Sequence, residues 1–279
     1  MLNVLKAGFY TTVQDSGRFG YRDKGVPISG AMDIETVTIL NKLLENEPDN
    51  AVLEITMTGP TLEFEVPTYI VLGGAEFHAT LNNEPIYNYQ VYKINAGDII
   101  SYGRLEKGFR GYLAIKNGFQ TPVILDSRSF YDPITSSAIV HSKSTVNYMP
   151  IDLFEPKLIG LKVDCFINDK VLQVSRGPEF SLLSDKQLES LFAKTYTVAM
   201  ENNRMAYQLK ETITGHSFSM LTSATLPGTI QFTPSGKLII LMKDGQTTGG
   251  YPRILQLSDK AIAILSQKKS GDKIRFKLM

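Results

Sequence analysis

Leu238-Ile239-Ile240-Leu241-Met242 runs directly into Lys243-Asp244-Gly245-Gln246-Thr247-Thr248-Gly249-Gly250-Tyr251-Pro252. Five consecutive apolar residues, too few for a helix and bounded by Gly and Pro signals, read as a buried strand. The segment after the strand is longer and more polar than a hairpin requires, since a two-residue Gly-containing turn would close one. Gly249-Gly250 lacks Cβ atoms, so the backbone can take positive φ and be approached closely. Gln246, Thr247 and Thr248 offer donors and acceptors on one short arc. Two readings stay open from spacing alone: a decorated turn whose side chains cap their own backbone, or a loop that faces a ligand.

The same grammar recurs elsewhere in the chain. Val52-Leu53-Glu54-Ile55-Thr56, Leu62-Glu63-Phe64-Glu65-Val66, Tyr69-Ile70-Val71-Leu72, Phe77-His78-Ala79-Thr80-Leu81, Ile99-Ile100-Ser101-Tyr102 and Gly111-Tyr112-Leu113-Ala114-Ile115 are short β-branched or aromatic runs separated by Gly, Pro and Asn. Further strands are expected at 196–200, 207–209, 229–232 and 273–278. Helices interrupt them rarely. One starts at Asp33, an N-cap residue followed by Ile34, Val37, Leu40 and Leu44 at helical spacing, and a second covers 184–193. Such a series of short strands predicts a mainly β chain built as barrels or sandwiches.

The halves echo each other. Gly59-Pro60-Thr61-Leu62-Glu63-Phe64 parallels Pro227-Gly228-Thr229-Ile230-Gln231-Phe232, and Ala96-Gly97-Asp98-Ile99 parallels Ser270-Gly271-Asp272-Lys273. Two small β-barrels of related plan are the economical reading, with the Gly-Asp pairs as turn chemistry. Between them, periodicity is lost across a Ser/Thr/Pro-rich segment. The expected division is an N-terminal barrel at 1–135, a linker at 136–165 and a C-terminal barrel at 166–279.

Composition narrows the function classes. The 279 residues are 43% hydrophobic and 20% charged, as in an ordinary globular protein, and the net charge of +1 gives no electrostatic case for nucleic acid or an anionic membrane. With 1 cysteine no internal disulfide or Cys-rich zinc site is possible, and Cys165, between Asp164 and Phe166, reads as a small buried hydrophobe. The 3 histidines, His78, His141 and His216, are far apart and lack ligand spacing, so no metal is expected. The N-terminal residues lack the apolar core of a signal peptide, which makes the cytoplasm the expected location.

Several blocks together carry a resemblance. They are Thr12-Val13-Gln14-Asp15-Ser16-Gly17-Arg18-Phe19-Gly20-Tyr21, Gly25-Val26-Pro27-Ile28-Ser29-Gly30-Ala31-Met32-Asp33, Leu53-Glu54 with Gly59-Pro60, Ser127-Arg128-Ser129, Arg204-Met205, and the run from Pro227-Gly228-Thr229 to Tyr251-Pro252. Together they resemble the biotin-dependent carboxyltransferase, or allophanate hydrolase subunit 2, family. That family includes the C-type subunit of bacterial ATP-dependent 5-oxoprolinase, the regulator KipA and the carboxyltransferase portion of urea carboxylase. The resemblance covers nearly the whole chain and implies a tandem pair of cyclophilin-like β-barrels. Departures are Asn117 and Asp126 where the family tends to show Gly, Ala206 where Gly is usual, and Gln208 in place of a typical Arg.

By resemblance, a free-standing chain of this length suits the 5-oxoprolinase component. It would open 5-oxo-L-proline to L-glutamate together with subunit-A-like and subunit-B-like (KipI-like) partners. No Gly-rich P-loop followed by Lys-Ser/Thr is present, so ATP would be bound with or by those partners. The chain would carry no biotin, because Met242-Lys243 is followed by Asp244 rather than a second Met. Two alternatives remain: a urea- or allophanate-type carboxyltransferase subunit, and a KipA-like regulator that binds an inhibitor protein without chemistry. In the enzymatic readings Gln14, Gln246, Thr247 and Thr248 hydrogen-bond the substrate, with Tyr251 bordering the pocket. Arg18, Arg128 and Arg204 offer a guanidinium clamp for carboxylate or phosphate. Asp15, Glu54 and Asp244 are candidate bases. Each has a structural alternative, such as an Arg18–Asp15 or Arg253–Asp244 ion pair, or Glu54 paired with a barrel arginine.

Overall fold

The computed structural model describes residues 1–163 and 166–279. Cys165 lies outside the described residues. The chain divides into two compact units, Met1–Arg18 with Ser29–Ile167, and Phe19–Ile28 with Asn168–Met279. Both are mainly β.

The first unit contains β1 (Leu2–Lys6), β2 (Tyr10–Gln14), α1 (Ile34–Leu43), β3 (Val52–Thr56), β4 (Thr61–Phe64), β5 (Thr68–Leu81), β6 (Glu84–Pro85), β7 (Val91–Ile94), β8 (Ile99–Ile115) and β9 (Thr145–Val146). They form a nine-stranded sheet along the order β2-β3-β8-β4-β1-β9, with β5 joined to β6, β7 and β8. One face buries Leu53, Ile55, Leu62, Phe64, Ile70, Leu72, Leu113 and Ile115. The alternate residues Val52, Val71, Tyr112 and Ala114 meet Val37, Leu40 and Leu44 of the helical segment, the period-2 partition of a sheet covered on both faces. Asp33 caps α1 as expected, its carboxylate accepting from the Thr36 backbone N–H.

Three features of this unit depart from expectation. The separate strands expected at 69–72 and 77–81 are one strand, β5, and those at 99–102 and 111–115 are one strand, β8. Glycines that signal breaks in the sequence act here as bends. Gly74 and Gly108 sit at φ 75° and 78°, and the β5–β8 register shifts between Gly74 and Ala79 without the pairing ending. The stretch expected as a linker packs, over its described part, into this unit. There β9 pairs with β1, and Val140, Val146 and Tyr148 are buried. These single apolar anchors are spaced too irregularly to give a periodic signal. Third, the two positions at which glycine is usual in the family, Asn117 and Asp126, have φ 63° and 58°. Both hold left-handed backbone, which Asn and Asp tolerate best after glycine.

The second unit contains β10 (Val171–Arg176), α2 (Asp185–Ala193), β11 (Tyr196–Asn202), β12 (Ala206–Leu209), β13 (Ser223–Ala224), β14 (Thr229–Phe232), β15 (Leu238–Leu241), β16 (Thr248–Gly249), β17 (Arg253–Leu257), α3 (Asp259–Ser266) and β18 (Lys273–Leu278). Seven strands close a barrel in the order β10-β17-β14-β15-β12-β11-β18. The apolar run that opened the sequence reading is β15, paired with β12 and β14. On β18, Ile274 and Phe276 point inward and Lys273, Arg275 and Lys277 outward, and α2 carries a reciprocal Ser184–Gln187 capping box. Helix α3 has no counterpart among the sequence expectations. Its run Ala261-Ile262-Ala263-Ile264-Leu265 is buried throughout and so lacks helical periodicity, leaving the Ser258 N-cap as its signal.

The internal echo holds locally and fails topologically. Asp98 Oδ2 accepts from Asn95 N–H and Asp272 Oδ2 from Lys269 N–H, the same side-chain-closed turn in each unit. Yet β4 pairs with β8, whereas β14 pairs with β15 and β17 and β18 pairs with β10 and β11. Among the described residues no helix is long and apolar enough to cross a membrane.

Candidate functional site

In the first unit, β2 delivers Gln14 and Asp15 to the loop at 124–129. Asp15 accepts from Gly17 N–H (2.8 Å), Ser127 Oγ (2.7 Å), Ser129 Oγ (2.6 Å) and Arg128 N–H (2.5 Å). Its carboxylate therefore ties two loops together. Arg18 is fully buried and donates to the carbonyls of Ile124 and Ser129. Gln14, also fully buried, gives its amide to Thr12 Oγ1 (3.1 Å) and the Phe130 carbonyl (3.3 Å). Arg128 donates to the Thr121 carbonyl and to Gln120 Oε1. Gly30 is required where it is, because at φ 82° a side chain would run into the Ser16 carbonyl.

Glu54 on β3 is held from several sides. Its Oε2 accepts from Met32 N–H (2.8 Å) and Tyr112 OH (2.9 Å), and Arg110 Nε lies 3.6 Å from Oε1. Tyr112 OH in turn accepts from Asp33 N–H. Burial, followed by the charges of Glu54 and Asp33, drives the Tyr112 phenol well above its ordinary range, so it acts as a neutral hydrogen-bonding post.

In the second unit, Arg204 forks onto Asp244, Nε to Oδ2 at 2.7 Å and Nη2 to Oδ1 at 3.1 Å. Asp244 N–H donates back to the Arg204 carbonyl at 2.8 Å, so the loop that leaves β15 is pinned beside the start of β12. The arc beyond it is open. Gln246 and Thr248 are exposed, Thr247 is half-buried and Tyr251 retains 41% of its exposure. Its backbone is fixed by Thr225, whose N–H donates to the Thr247 carbonyl and whose hydroxyl donates to the Gln246 carbonyl, and by the β13–β16 pairing. Gly249 allows close packing: a Cβ there would overlap the amide nitrogen of the buried Gln231. The Arg253–Asp244 pair considered from sequence does not form. Arg253 binds Glu179 through Nε (2.9 Å) and Nη2 (2.7 Å), and Asp244 belongs to Arg204. The Arg253 hydrogen bond holds the Glu179 carboxyl below its usual range, and the same bond raises Arg253.

Beside the open arc lies a hollow of about 630 Å³ lined by Arg22, Asp23, Thr225, Thr247, Thr248 and Arg253 among others. Every lining residue belongs to the second unit. Thr247 and Thr248 are the sequence-chosen residues that it gathers. Arg22 is not among the sequence candidates: within Tyr21-Arg22-Asp23-Lys24 it reads as a solvated charge run, and its contact with Thr225 lies 203 residues away. Its Nη2 donates to the Thr225 carbonyl, its Nη1 is buried without a hydrogen-bond partner among the described residues, and burial lowers its pKa. Two hydroxyls and a guanidinium lining one hollow can bind and orient a small polar anion.

Residues 24–278 match the profile of the carboxyltransferase domain, subdomain A and B. The chain belongs to that carboxyltransferase family. Among relatives, it is 31% identical to the C-type 5-oxoprolinase subunit of Escherichia coli (strain K12) over 284 residues, which cover 99% of this chain and 90% of the relative. Among solved structures, the urea amidolyase of K. lactis superposes with a TM-score of 0.88 at 26% identity, covering 100% of this chain and 18% of that one. The crystal structure of TTHA0988 shares the fold with a TM-score of 0.90 at 24% identity, covering 99% of this chain and 56% of that one. The chain thus spans only part of these two solved chains, but nearly the whole length of the bacterial relative. Family membership agrees with the mainly β, two-unit architecture and with the signature blocks quoted from the sequence.

Proposed function

We propose that this chain is the C-type subunit of an ATP-dependent 5-oxoprolinase, which opens 5-oxo-L-proline to L-glutamate in a complex with A-like and B-like (KipI-like) partners in the cytoplasm. The observation that carries the reading is the end-to-end match to the E. coli relative, at 99% of this chain and 90% of that protein. A lactam carbonyl is a poor electrophile. Phosphoryl transfer from ATP to its oxygen releases ADP and activates the ring carbon. A positioned water adds there, and the ring C–N bond breaks with the nitrogen taking the proton to leave an acyl phosphate. A second water hydrolyses that acyl phosphate to the glutamate carboxylate and phosphate. The chain has no P-loop, so ATP is assigned to the partners. The part left to this chain is binding and orientation of the substrate by Gln246, Thr247 and Thr248, with Tyr251 at the edge. Gln14, Arg18, Arg128 and Arg204 act in this reading by holding loops, since each already donates hydrogen bonds within its own unit. Asp15, Glu54 and Asp244 do the same, each accepting from internal donors.

A second reading, a urea-type carboxyltransferase subunit receiving biotin from another chain, draws on the likeness to K. lactis urea amidolyase at a TM-score of 0.88. One experiment separates these. The chain is co-purified with its A-like and B-like partners, and ATP hydrolysis is followed with and without 5-oxo-L-proline while glutamate is quantified. The proposal expects 5-oxoproline-dependent hydrolysis with glutamate formed in step. A complete complex that makes no glutamate refutes it, and urea-dependent turnover with a biotinylated carrier would install the second reading. A chain that only binds the B-like partner would leave the KipA-like regulatory role.

A further inference from the structure

We propose that the hollow beside β13 and β16 is a receptor for one compact carboxylate, with Arg22 as its cation and Thr247 and Thr248 as its neutral donors. The choice of 5-oxoproline as the probe rests on the function proposed above. The receptor itself rests on the geometry of the second unit.

The guanidinium of Arg22 is the reason. A partly desolvated cation normally has an acceptor for each buried N–H, because leaving one unpaired is costly. Arg22 gives Nη2 to the Thr225 carbonyl and, among the described residues, has nothing for the buried Nη1. Arg253 lines the same hollow but is engaged by Glu179 and by the Ala224 carbonyl. Arg204, elsewhere in the unit, is forked onto Asp244. Arg22 is therefore the lining cation that no carboxylate among the described residues pairs directly. Asp23 shares the lining but is exposed, and among the described residues no ion pair joins it to Arg22.

Charge and shape select the ligand class. With Glu179 balancing Arg253 and Asp23 on the rim set against Arg22, the hollow carries no net positive charge, which disfavours a phosphate dianion and leaves a monoanion to be held by the directed donors of Arg22. A planar guanidinium matches a carboxylate by paired N–H donors. The hydroxyls of Thr247 and Thr248 make no hydrogen bond to the described residues, which leaves them for the rest of the ligand. A volume of about 630 Å³ accommodates a five-membered ring acid with its first waters.

The test is a calorimetric titration of the full chain, alone, with 5-oxo-L-proline, with 2-pyrrolidinone (the same lactam without the carboxylate) and with inorganic phosphate. Saturable binding of 5-oxoproline is expected, weakened about tenfold or more by Arg22→Met and by a few-fold by Thr247→Val or Thr248→Ala, with 2-pyrrolidinone at least about tenfold weaker than the acid. Arg22→Lys keeps the charge without the fork and should lie between. If Arg22→Met loses its native circular dichroism, Arg22→Lys and Thr248→Ala decide. The proposal is overturned if the wild-type chain does not bind 5-oxoproline, if 2-pyrrolidinone binds as well, if phosphate binds more tightly, or if folded Arg22 variants bind like wild type. In the reconstituted complex, glutamate formation unaffected by Arg22→Met sinks the receptor alone. Absence of glutamate from the wild-type complex sinks the 5-oxoprolinase reading and leaves the receptor to the titration.

Discussion

Truncating Asp244 should destabilise the second unit far more than loss of a surface ion pair. Arg204 retains 5% side-chain exposure and Asp244 12%, and the two are joined by a fork of 2.7 and 3.1 Å. Removing one partner of a buried pair costs about 3–5 kcal/mol, because the survivor stays desolvated and unpaired. The remaining exposure of Asp244 lets water reach the vacated site, so the lower end, about 3 kcal/mol, is expected for Asp244→Ala. Arg204→Met should cost similarly. The double variant should cost clearly less than the two together, with a coupling of about 2 kcal/mol, since no charge is then left unpaired. Unfolding of a two-unit chain need not be two-state, so stability is best read from amide exchange of peptides covering β12 and β15. Asp244→Ala within about 0.5 kcal/mol of wild type, or a cycle with no coupling, would refute the anchoring role. The same variant also frees the arc from Gln246 to Gly250. Reduced activity in Asp244→Ala therefore fails to identify a general base unless exchange in that arc is unchanged.

Tyr112→Phe removes the donor to Glu54 and the acceptor of Asp33 N–H, all buried, and should lower first-unit stability by about 1–3 kcal/mol in amide exchange across β3 and β8; unchanged protection would contradict the bridge. Glu179 has a folded pKa depressed by Arg253, so its contribution is present above the unfolded value near 4.5 and is lost as pH falls through the lower folded value. Melting of the second unit should fall more shallowly below about pH 4.5 in Glu179→Gln than in wild type, and parallel curves would sink that assignment. Gly249→Ala places a methyl against Gln231 Nε2 and should cost about 1–3 kcal/mol in a thermal melt. A wild-type melting temperature would mean that the Gln231 amide swings aside freely.

Local features of this chain are written in adjacent residues. The strand at 238–241, the Asp33 cap, the helix at 184–193 and the paired Gly-Asp turns are legible because each is decided by a few neighbouring side chains and their backbone. The specific blocks from 12 to 33 and from 227 to 252 carry the family, which the end-to-end match to the bacterial relative bears out. Features that depend on distant partners emerge only once the chain is folded. Glycines at 74 and 108 bend long strands instead of ending them because β5 and β8 stay paired around them. Arg253 meets Glu179, 74 residues away in the chain, rather than the nearer Asp244. Arg22 becomes a candidate recognition residue through Thr225, 203 residues distant. A charged side chain's role is set by which acceptors surround it and whether water still reaches it, and neither is encoded by its neighbours in sequence.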